Sequence, residues 1–343
     1  AIISRELNID NPRWFYPRMS ERSRYALLAR DRTQETTTEA AFFSHRADLL
    51  DGRLKTFAGG RQDRVTNELI DRLTNLRQRT TASAFTPQAG FNWTPVAPVS
   101  VYASYSEAYL PQSQVRTNTQ ELYPNEEGIG YEAGVKSVWL GGKLSITAGV
   151  YSVERNNVLQ TYTDEQLGIA VTDVSGQIVS DGVEIDFNWQ PHERWQVMGA
   201  YGYSDTRVTK NPEAPQVVGL PPARGPAPYN YGLAILHRVR SGPLAGLTLR
   251  ADVSGQGRAI GEYGSGPYTR GGIRYPHDGR QAIWKPAFTV INAGASYAFR
   301  ARSSRWRHHV SLNLKNLADR QYAIGNWIPA DGFSVSVGYS LRN

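Results

Sequence analysis

Arginine and tyrosine are concentrated between residues 258 and 285, where glycines separate them. Arginine binds anions through paired hydrogen bonds, and aromatic rings add stacking and cation–π contacts. This combination predicts a binding site for an anionic ligand that carries rings. The residues expected to contact the ligand are Tyr263, Tyr268, Arg270, Arg274 and Tyr275. A solvated outer loop that faces an anionic surface would have a similar composition, so that alternative stays open.

Enzymatic and metal-binding motifs are weak throughout the sequence. The glycine-rich stretch 255–261 has one residue too many for a dinucleotide loop, and the serine of 264–266 lacks the outer glycines of a nucleophile elbow. The chain has no Cys and six scattered His residues, of which His308 and His309 are adjacent on a predicted strand and point to opposite faces. We therefore predict no catalytic residues, no metal site and no cofactor.

Composition narrows the class of protein. The 343 residues are 40% hydrophobic and 11% aromatic, with a formal net charge of +7, so the chain is expected to fold. No apolar run approaches the roughly 18 residues that a membrane-spanning helix requires. Arginine dominates the basic residues, but it is spread over turns, loops and strand faces without a nucleic-acid-binding motif. We expect no nucleic-acid partner.

The segments that must position the candidate residues alternate between apolar and polar side chains. Val183, Ile185, Phe187 and Trp189 are apolar, and small or polar residues lie between them. A period of two is typical of a β-strand with one apolar and one polar face. Counting such runs gives about 13 strands, with a further one expected near 22–32. The strands are predicted near 36–49, 53–65, 85–94, 99–109, 128–139, 143–155, 178–189, 194–206, 229–241, 246–258, 286–299, 307–317 and 333–342.

Short and long connections alternate between these strands. The long ones are predicted at 66–84, 110–127, 156–177, 207–228, 259–285 and 318–332. Alternation of this kind is typical of an outer-membrane barrel with short periplasmic turns and long extracellular loops. Strands of about ten residues and aromatic residues near the strand ends favour this barrel over a soluble sandwich or propeller. The predicted fold is therefore all-β, an antiparallel transmembrane β-barrel.

Three local predictions complete this interpretation. Arg250 and Asp252 alternate with apolar neighbours, so both are expected to face the lumen. Residues 67–79 have apolar residues at helical spacing, which predicts a short helix inside a long loop. Six prolines predict that residues 211–228 are irregular.

Several stretches of the sequence resemble the barrel domain of TonB-dependent outer-membrane receptors, particularly the ferric-siderophore branch. The matching stretches are VYASYSEAYLP at 101–111, YEAGVK at 131–136, SDGVEID at 180–186 and NLKNLADRQY at 313–322. Residues 51–61 also resemble the mid-barrel hairpin of that family. Within these stretches we expect Gly134 and Gly182 to relieve crowding in the barrel wall. Asn316 and Asp319 are expected to organise the turn that enters the last loop.

The resemblance implies a barrel of about 22 strands whose lumen is closed by an N-terminal plug. Because the sequence offers about 13 or 14 strands and no plug, we interpret residues 1–343 as the C-terminal part of that barrel domain. Residues 1–35 stay unassigned apart from the one further strand and its loop. Asn343 stands where the family usually has an aromatic residue that the barrel-assembly machinery reads.

The resemblance also implies a function, the active uptake of a ferric siderophore across the bacterial outer membrane. TonB and its inner-membrane energising complex would drive transport, and this chain would supply barrel wall and ligand-capturing loops. Lipopolysaccharide and outer-membrane lipid would surround it. Cobalamin, haem or an oligosaccharide stay open as ligands, and a passive porin-like or structural barrel stays open as a function. An outer-membrane esterase or protease would need catalytic residues that the sequence does not show.

Overall fold

The computed structural model describes most of the chain after residue 30. The described residues are 31–73, 75–112, 123–164, 169–212, 215–222, 225–263, 268–270, 273–275, 282–300, 305–324 and 328–342. Within these ranges, the side chains of 159–175, 216, 262–283 and 324 lie outside the description. The predicted strand near 22–32 and the terminal Asn343 lie outside the described residues, apart from Asp31 and Arg32. No helix in the described part is long and apolar enough to cross a membrane.

The described residues form 19 β-strands and two short 3₁₀ turns, at Leu140–Gly142 and Pro215–Val217. In chain order the strands are β1 (Arg32–Leu49), β2 (Leu54–Asp71), β3 (Leu76–Val96), β4 (Val99–Leu110), β5 (Glu126–Trp139), β6 (Leu144–Asp164), β7 (Ile169–Trp189), β8 (Trp195–Lys210), β9 (Tyr229–Arg238), β10 (Leu247–Gln256), β11 (Ala259–Tyr263), β12 (Tyr268–Arg270), β13 (Ile273–Tyr275), β14 (Ala282–Lys285), β15 (Phe288–Arg300), β16 (Arg307–Lys315), β17 (Ala323–Ile324), β18 (Ile328–Pro329) and β19 (Ser334–Arg342).

Thirteen of these strands form one sheet, in the order β1 to β10, then β15, β16 and β19. Each strand lies beside its predecessor, and the pairings from β3 onward are antiparallel. The other six strands form three two-stranded sheets within the connections after β10 and β16. The prediction of an all-β antiparallel fold with about 13 main strands is confirmed.

The two faces of the sheet differ in chemistry, as the alternation predicts. We call the face of Val150, Val183 and Ile185 the apolar face; these three side chains are 55%, 45% and 45% exposed. The opposite face, which includes Glu132 and Glu184, is called the polar face. In the described part of the chain no large side chain is fully buried. The apolar face therefore lies uncovered, as is typical of strands that face lipid.

Tryptophans lie on or beside the short turns at one end of the strands. Trp139, Trp189, Trp195 and Trp306 are each 39% to 44% exposed. Trp195 also packs against His237, with the ring centroids 4.2 Å apart. Exposed aromatic residues at the ends of the strands form the girdle at the membrane–water interface of transmembrane barrels.

The alternation of short and long connections is confirmed, with two corrections. Residues 66–84 and 156–177 were expected to be loops, but most of them are strand. β2 extends to Asp71 and β3 begins at Leu76, while β6 extends to Asp164 and β7 begins at Ile169. β-branched residues are frequent in both segments, and such residues favour extended backbone. Residues 211–228 are irregular where the structure describes them, as the prolines predict.

The chain divides into two compact units, of which the first comprises residues 1–38 and 65–81. Its described part comprises the start of β1 and the adjoining ends of β2 and β3, which form a β-hairpin. Arg32 contacts Asp71 at 2.6 Å, Arg72 contacts Asp31 at 3.0 Å, and Thr36 donates a hydrogen bond to Asn67 at 2.6 Å.

The helix predicted over 67–79 is wrong, because this segment lies within that hairpin. Asp71 accepts a hydrogen bond from the Leu73 N–H at 3.0 Å, and Asn75 has a φ of 52°. Both features stabilise a turn in place of a helix. Leu73 and Leu76 are 55% and 46% exposed, so the apolar spacing has no packed surface that would stabilise a helix.

The second unit comprises residues 39–64 and 82–343 and contains most of the large sheet. It also contains every candidate site residue. The candidate site is therefore described within this unit alone.

Candidate ligand-binding face and loops

Arg250 and Asp252 form an ion pair on the polar face, which is where the alternation predicts them. The Arg250 Nη2 to Asp252 Oδ1 distance is 2.7 Å, and the Asp252 side chain is 14% exposed. On the neighbouring strand β15, the Asn292 amide donates a hydrogen bond to Asp252 Oδ2 at 2.7 Å. The carboxylate is thus held from two strands, and the paired Arg250 side chain is still 59% exposed on the polar face.

The same network continues into the turn after β16. Asn292 Oδ1 accepts a hydrogen bond from the Asn316 N–H at 2.9 Å. Asn316 is 2% exposed and has a φ of 52°. Its side chain accepts from the Arg320 N–H at 2.8 Å and donates to the Arg320 and Asp331 carbonyls at 2.9 and 3.2 Å.

Asp319 closes the other side of this turn, because its Oδ1 accepts from the Phe333 N–H at 2.7 Å. The prediction that Asn316 and Asp319 organise the entry to the last loop through side-chain to backbone bonds is confirmed. Both residues have positive φ, a conformation in which Asn and Asp are comparatively well tolerated.

Glycines on the polar face leave room for tyrosine rings from neighbouring strands. A Cβ on Gly134 would lie 2.6 Å from the Tyr102 ring, and a Cβ on Gly182 would overlap the Tyr151 ring. Any larger residue would collide with these rings. The prediction that Gly134 and Gly182 relieve crowding is confirmed, and the structure identifies Tyr102 and Tyr151 as the side chains concerned.

The loop residues proposed as ligand contacts lie in the connection between β10 and β15. Backbone pairing places Tyr268 opposite Tyr275 in the β12–β13 hairpin, with Arg270 opposite Ile273 and Arg274 opposite Thr269. Tyr263 ends β11 and pairs with Ala282 of β14.

The side chains of Tyr263, Tyr268, Arg270, Arg274 and Tyr275 lie outside the described residues, so their contact with a ligand stays a prediction. At the base of the connection, the Arg258 guanidinium lies 4.4 Å from the centre of the Trp284 ring. This contact pairs the two side chains with each other at the base of the connection.

The adjacent histidines of β16 take part in strand packing. His308 stacks on Phe299 with ring centroids 5.0 Å apart, and its Nδ1 lies 2.8 Å from the Tyr339 hydroxyl oxygen. Among the residues that the structure describes, no group of three or more His, Cys, Asp or Glu side chains is placed to hold a metal ion.

A group on the polar face that the sequence reasoning missed surrounds Tyr102. Its hydroxyl donates to Glu132 Oε1 at 2.6 Å, and the Lys136 ammonium lies 4.5 Å from its ring centre. Glu132 and Lys136 lie inside the YEAGVK stretch, at alternate positions of β5. The alternation along β5 was enough to predict that Glu132 and Lys136 share a face. Only the pairing of β4 with β5 shows that Tyr102 lies beside these two residues.

A large antiparallel sheet with an exposed apolar face, a polar opposite face and an interfacial girdle of tryptophan defines an outer-membrane β-barrel protein. The sequence matches the family model "TonB dependent receptor-like, beta-barrel" over residues 5–317. The chain belongs to this family, and its location is the bacterial outer membrane.

Relatives of the chain include curated receptors. It is 30% identical over 264 residues to the ferrichrome outer membrane transporter/phage receptor of Escherichia coli strain K12, covering 77% of this chain and 32% of that protein. It is 30% identical over 273 residues to the ferrioxamine B receptor of Salmonella typhimurium, covering 77% and 34%. The chain thus spans about a third of the length of these relatives.

Solved structures share the fold. The ferric preacinetobactin receptor BauA from Acinetobacter baumannii has a TM-score of 0.70 at 18% identity, covering 89% of this chain and 43% of that chain. The ferripyoverdine receptor of Pseudomonas aeruginosa has a TM-score of 0.65 at 18% identity, covering 89% and 38%. At these identities the likeness concerns the fold alone.

Proposed function

We propose that this chain is part of a TonB-dependent transporter that takes up a ferric siderophore across the outer membrane. The observation that carries the proposal is the family match over residues 5–317, together with relatives named as ferrichrome and ferrioxamine B receptors. The chain contributes barrel wall and outer loops, as the C-terminal part of the barrel domain. The Fe(III) complex is the cargo, and the proposal includes no catalytic step.

The geometry supports a division of work between two regions. The connection between β10 and β15 holds Tyr263, Tyr268, Arg270, Arg274 and Tyr275, which capture the chelate outside the membrane. Arg250 and Asp252 belong to the polar face that lines the lumen in this proposal. The half-exposed Arg250 guanidinium, paired with Asp252, can still donate hydrogen bonds to a passing cargo.

Transport energy comes from TonB and its inner-membrane complex in this proposal. Lipid surrounds the apolar face, lipopolysaccharide surrounds its outer rim, and the barrel-assembly machinery inserts the strands. The exposed valine and isoleucine side chains support the contact with lipid, because burying them in the hydrocarbon region removes apolar area from water.

A capture experiment tests the proposal at its first step. The gene that encodes this chain is deleted from its source bacterium, and iron-starved cells are incubated at 0 °C with ferrichrome, ferrioxamine B or ferripyoverdine carrying radioactive iron. We expect the deletion to abolish saturable binding of at least one chelate and the restored gene to recover it. Equal binding by deleted and restored cells for all three chelates would contradict the proposal.

A further inference from the structure

The short turns between neighbouring strands are rich in cations. Five of the six contain an arginine or lysine, whereas two contain a carboxylate. The cations of these turns are Arg53, Lys143, Arg194, Arg240, Arg302 and Arg305. Short turns lie on the periplasmic side of outer-membrane barrels. The chain therefore presents positive charge to the membrane leaflet that faces the periplasm.

One of these cations, Arg305, lies beside an exposed aromatic ring. Its guanidinium is 5.4 Å from the centre of the Trp306 ring, and Trp306 is 40% exposed. Trp306 precedes β16, and the alternation along that strand places it on the apolar face with His308 and Val310. The contact thus keeps the Arg305 charge near the side of the wall that faces lipid.

Aromatic side chains continue from Trp306 across three strands of the apolar face. His308 of β16 stacks on Phe299 of β15, with ring centroids 5.0 Å apart and ring planes 10° apart. On β19, the Tyr339 hydroxyl oxygen lies 2.8 Å from His308 Nδ1, and Tyr339 is 61% exposed. We call Phe299, Trp306, His308 and Tyr339 the aromatic row. Rings that carry a polar atom are favoured at the membrane–water interface, where the ring meets acyl chains and the polar atom meets headgroups.

The strands that carry the aromatic row have arginines at their ends and no acidic residue. β15, β16 and β19 contain no Asp or Glu. Arg300 is the cross-strand partner of Arg307, and Arg307 is the partner of Arg342. These three arginines belong to the polar face of the same strand ends, and like charges directly opposite each other destabilise a sheet. An anion bound at the adjacent edge would lower that repulsion, so the charge of this edge favours an anionic ligand.

We infer that the edge of the apolar face beside the β15–β16 turn binds the headgroup of an anionic phospholipid in the periplasmic leaflet. The residues of this site are Arg305, Trp306, His308 and Tyr339. Arg305 binds the phosphate through charge-assisted hydrogen bonds, while His308 Nε2 and the Tyr339 hydroxyl bond other headgroup oxygens. Phospholipid is the occupant because the cation lies beside exposed rings, and a molecule with both a phosphate and acyl chains contacts both. The inference depends on the location of the chain in the outer membrane and not on its cargo.

Photo-crosslinking to lipid tests the inference on the protein produced from the gene that encodes this chain. The purified protein is folded into phosphatidylcholine vesicles that contain a small fraction of phosphatidylglycerol, which is anionic, or of phosphatidylethanolamine, whose net charge is zero. Both probes carry a diazirine near the start of an acyl chain. After irradiation, peptide mass spectrometry measures the lipid adducts on the peptides that contain the aromatic row. The readout is the ratio of phosphatidylglycerol adducts to phosphatidylethanolamine adducts.

Arg305→Gln removes the charge of the site. Arg307→Gln is the matched control, because it removes an arginine charge two residues further along the chain, on the polar face. We expect a ratio of about five in the wild-type protein, the factor that one cation near a membrane surface contributes, and a ratio of about one in Arg305→Gln. Arg305→Lys and Arg307→Gln should retain most of the wild-type ratio. Inorganic phosphate should leave the ratio as it is in chloride at equal ionic strength.

A ratio near one in the wild-type protein would overturn the inference without any variant. So would a wild-type ratio in Arg305→Gln, or an equal loss in Arg307→Gln, since the second result would assign the effect to the charge of all the strand ends. A ratio that falls in inorganic phosphate but not in chloride would show that the site takes the free ion, and would overturn the lipid assignment. The experiment contains no iron chelate, so failure of the proposed transport function would leave these results unchanged.

Discussion

Single side chains hold the polar face and the turn after β16 in place. Asp252 links Arg250 to Asn292, and Asn292 links the strands to Asn316. Each hydrogen bond contributes on the order of 1 kcal/mol, and more where one partner is charged. Residues far apart in sequence therefore form one network, which begins at a charge facing the proposed lumen and ends at the last long connection.

Asn316→Ala is expected to lower the free energy of unfolding by about 2–4 kcal/mol. The variant loses the side-chain bonds of a buried residue and forces a residue with a Cβ but no local hydrogen bond into positive φ. Urea titration of the protein folded in lipid vesicles measures the change. Asn316→Gly, which accommodates the φ but lacks the bonds, should be destabilised less; equal losses in the two variants would show that backbone strain plays no part.

Gly182→Ala is expected to destabilise the sheet by about 1–3 kcal/mol, because the new Cβ would meet the Tyr151 ring. The same urea titration measures this loss in the free energy of unfolding. Combining Gly182→Ala with Tyr151→Ala removes the collision, so the loss caused by the alanine at 182 should largely disappear in that background. An unchanged loss there would mean that the ring is not the cause.

Arg270→Ala combined with Arg274→Ala is expected to weaken capture of an anionic chelate at least about tenfold, since charge-assisted hydrogen bonds contribute roughly 1.5–3 kcal/mol each. Equilibrium binding of the radioactive chelate to intact cells at 0 °C gives the dissociation constant. Arg240→Ala, in the short turn between β9 and β10, serves as the matched control. Binding equal to wild type would remove both arginines from the capture site.

At the scale of elements, each long strand separates two environments. Adjacent residues of one strand point to opposite faces, so Ile146 belongs to the apolar face and Thr147 to the polar face. The cross-strand partner of Ile146 is Phe187, and that of Thr147 is Asp186. A single step along the chain thus changes the environment of a side chain from hydrocarbon to the polar interior.

Arginine substitutions on the two faces of β6 should differ sharply in effect. Val150→Arg places a charge on the lipid-facing side six residues beyond Leu144, which pairs with the tryptophans of the girdle, and should cost about 2–4 kcal/mol. Thr147→Arg places the same charge beside Asp186 and should cost less than about 1 kcal/mol. Folding into vesicles across a urea series compares them, and equal costs would contradict the assignment of faces.

Strand alternation was sufficient to predict residues 178–189 of β7 and most of the sheet, because each strand is amphipathic by itself, but it missed the first part of β7, residues 169–177. It failed at residues 67–79, where apolar residues at helical spacing lie in a hairpin with exposed leucines. The contact of Tyr102 with Glu132 and Lys136 could not be predicted, because β4 contributes the tyrosine and β5 the two charged residues. Only strand register brings such residues together.

At the scale of the whole molecule, the proposed path begins at the arginine- and tyrosine-rich connection between β10 and β15. It passes the ion pair of Arg250 and Asp252 on the polar face. The arginines of the connection between β10 and β15 favour an anionic cargo.

Energised uptake of radioactive iron tests the transport proposal most directly. Iron-starved cells with the gene deleted or restored receive a ferric chelate that binds at 0 °C, and accumulation at 37 °C is followed with and without a proton-motive-force uncoupler and in a strain that lacks TonB. We predict accumulation that requires the gene, the proton-motive force and TonB together. Gene-dependent entry that continues with the uncoupler and without TonB would instead show a passive pore, and would contradict active transport.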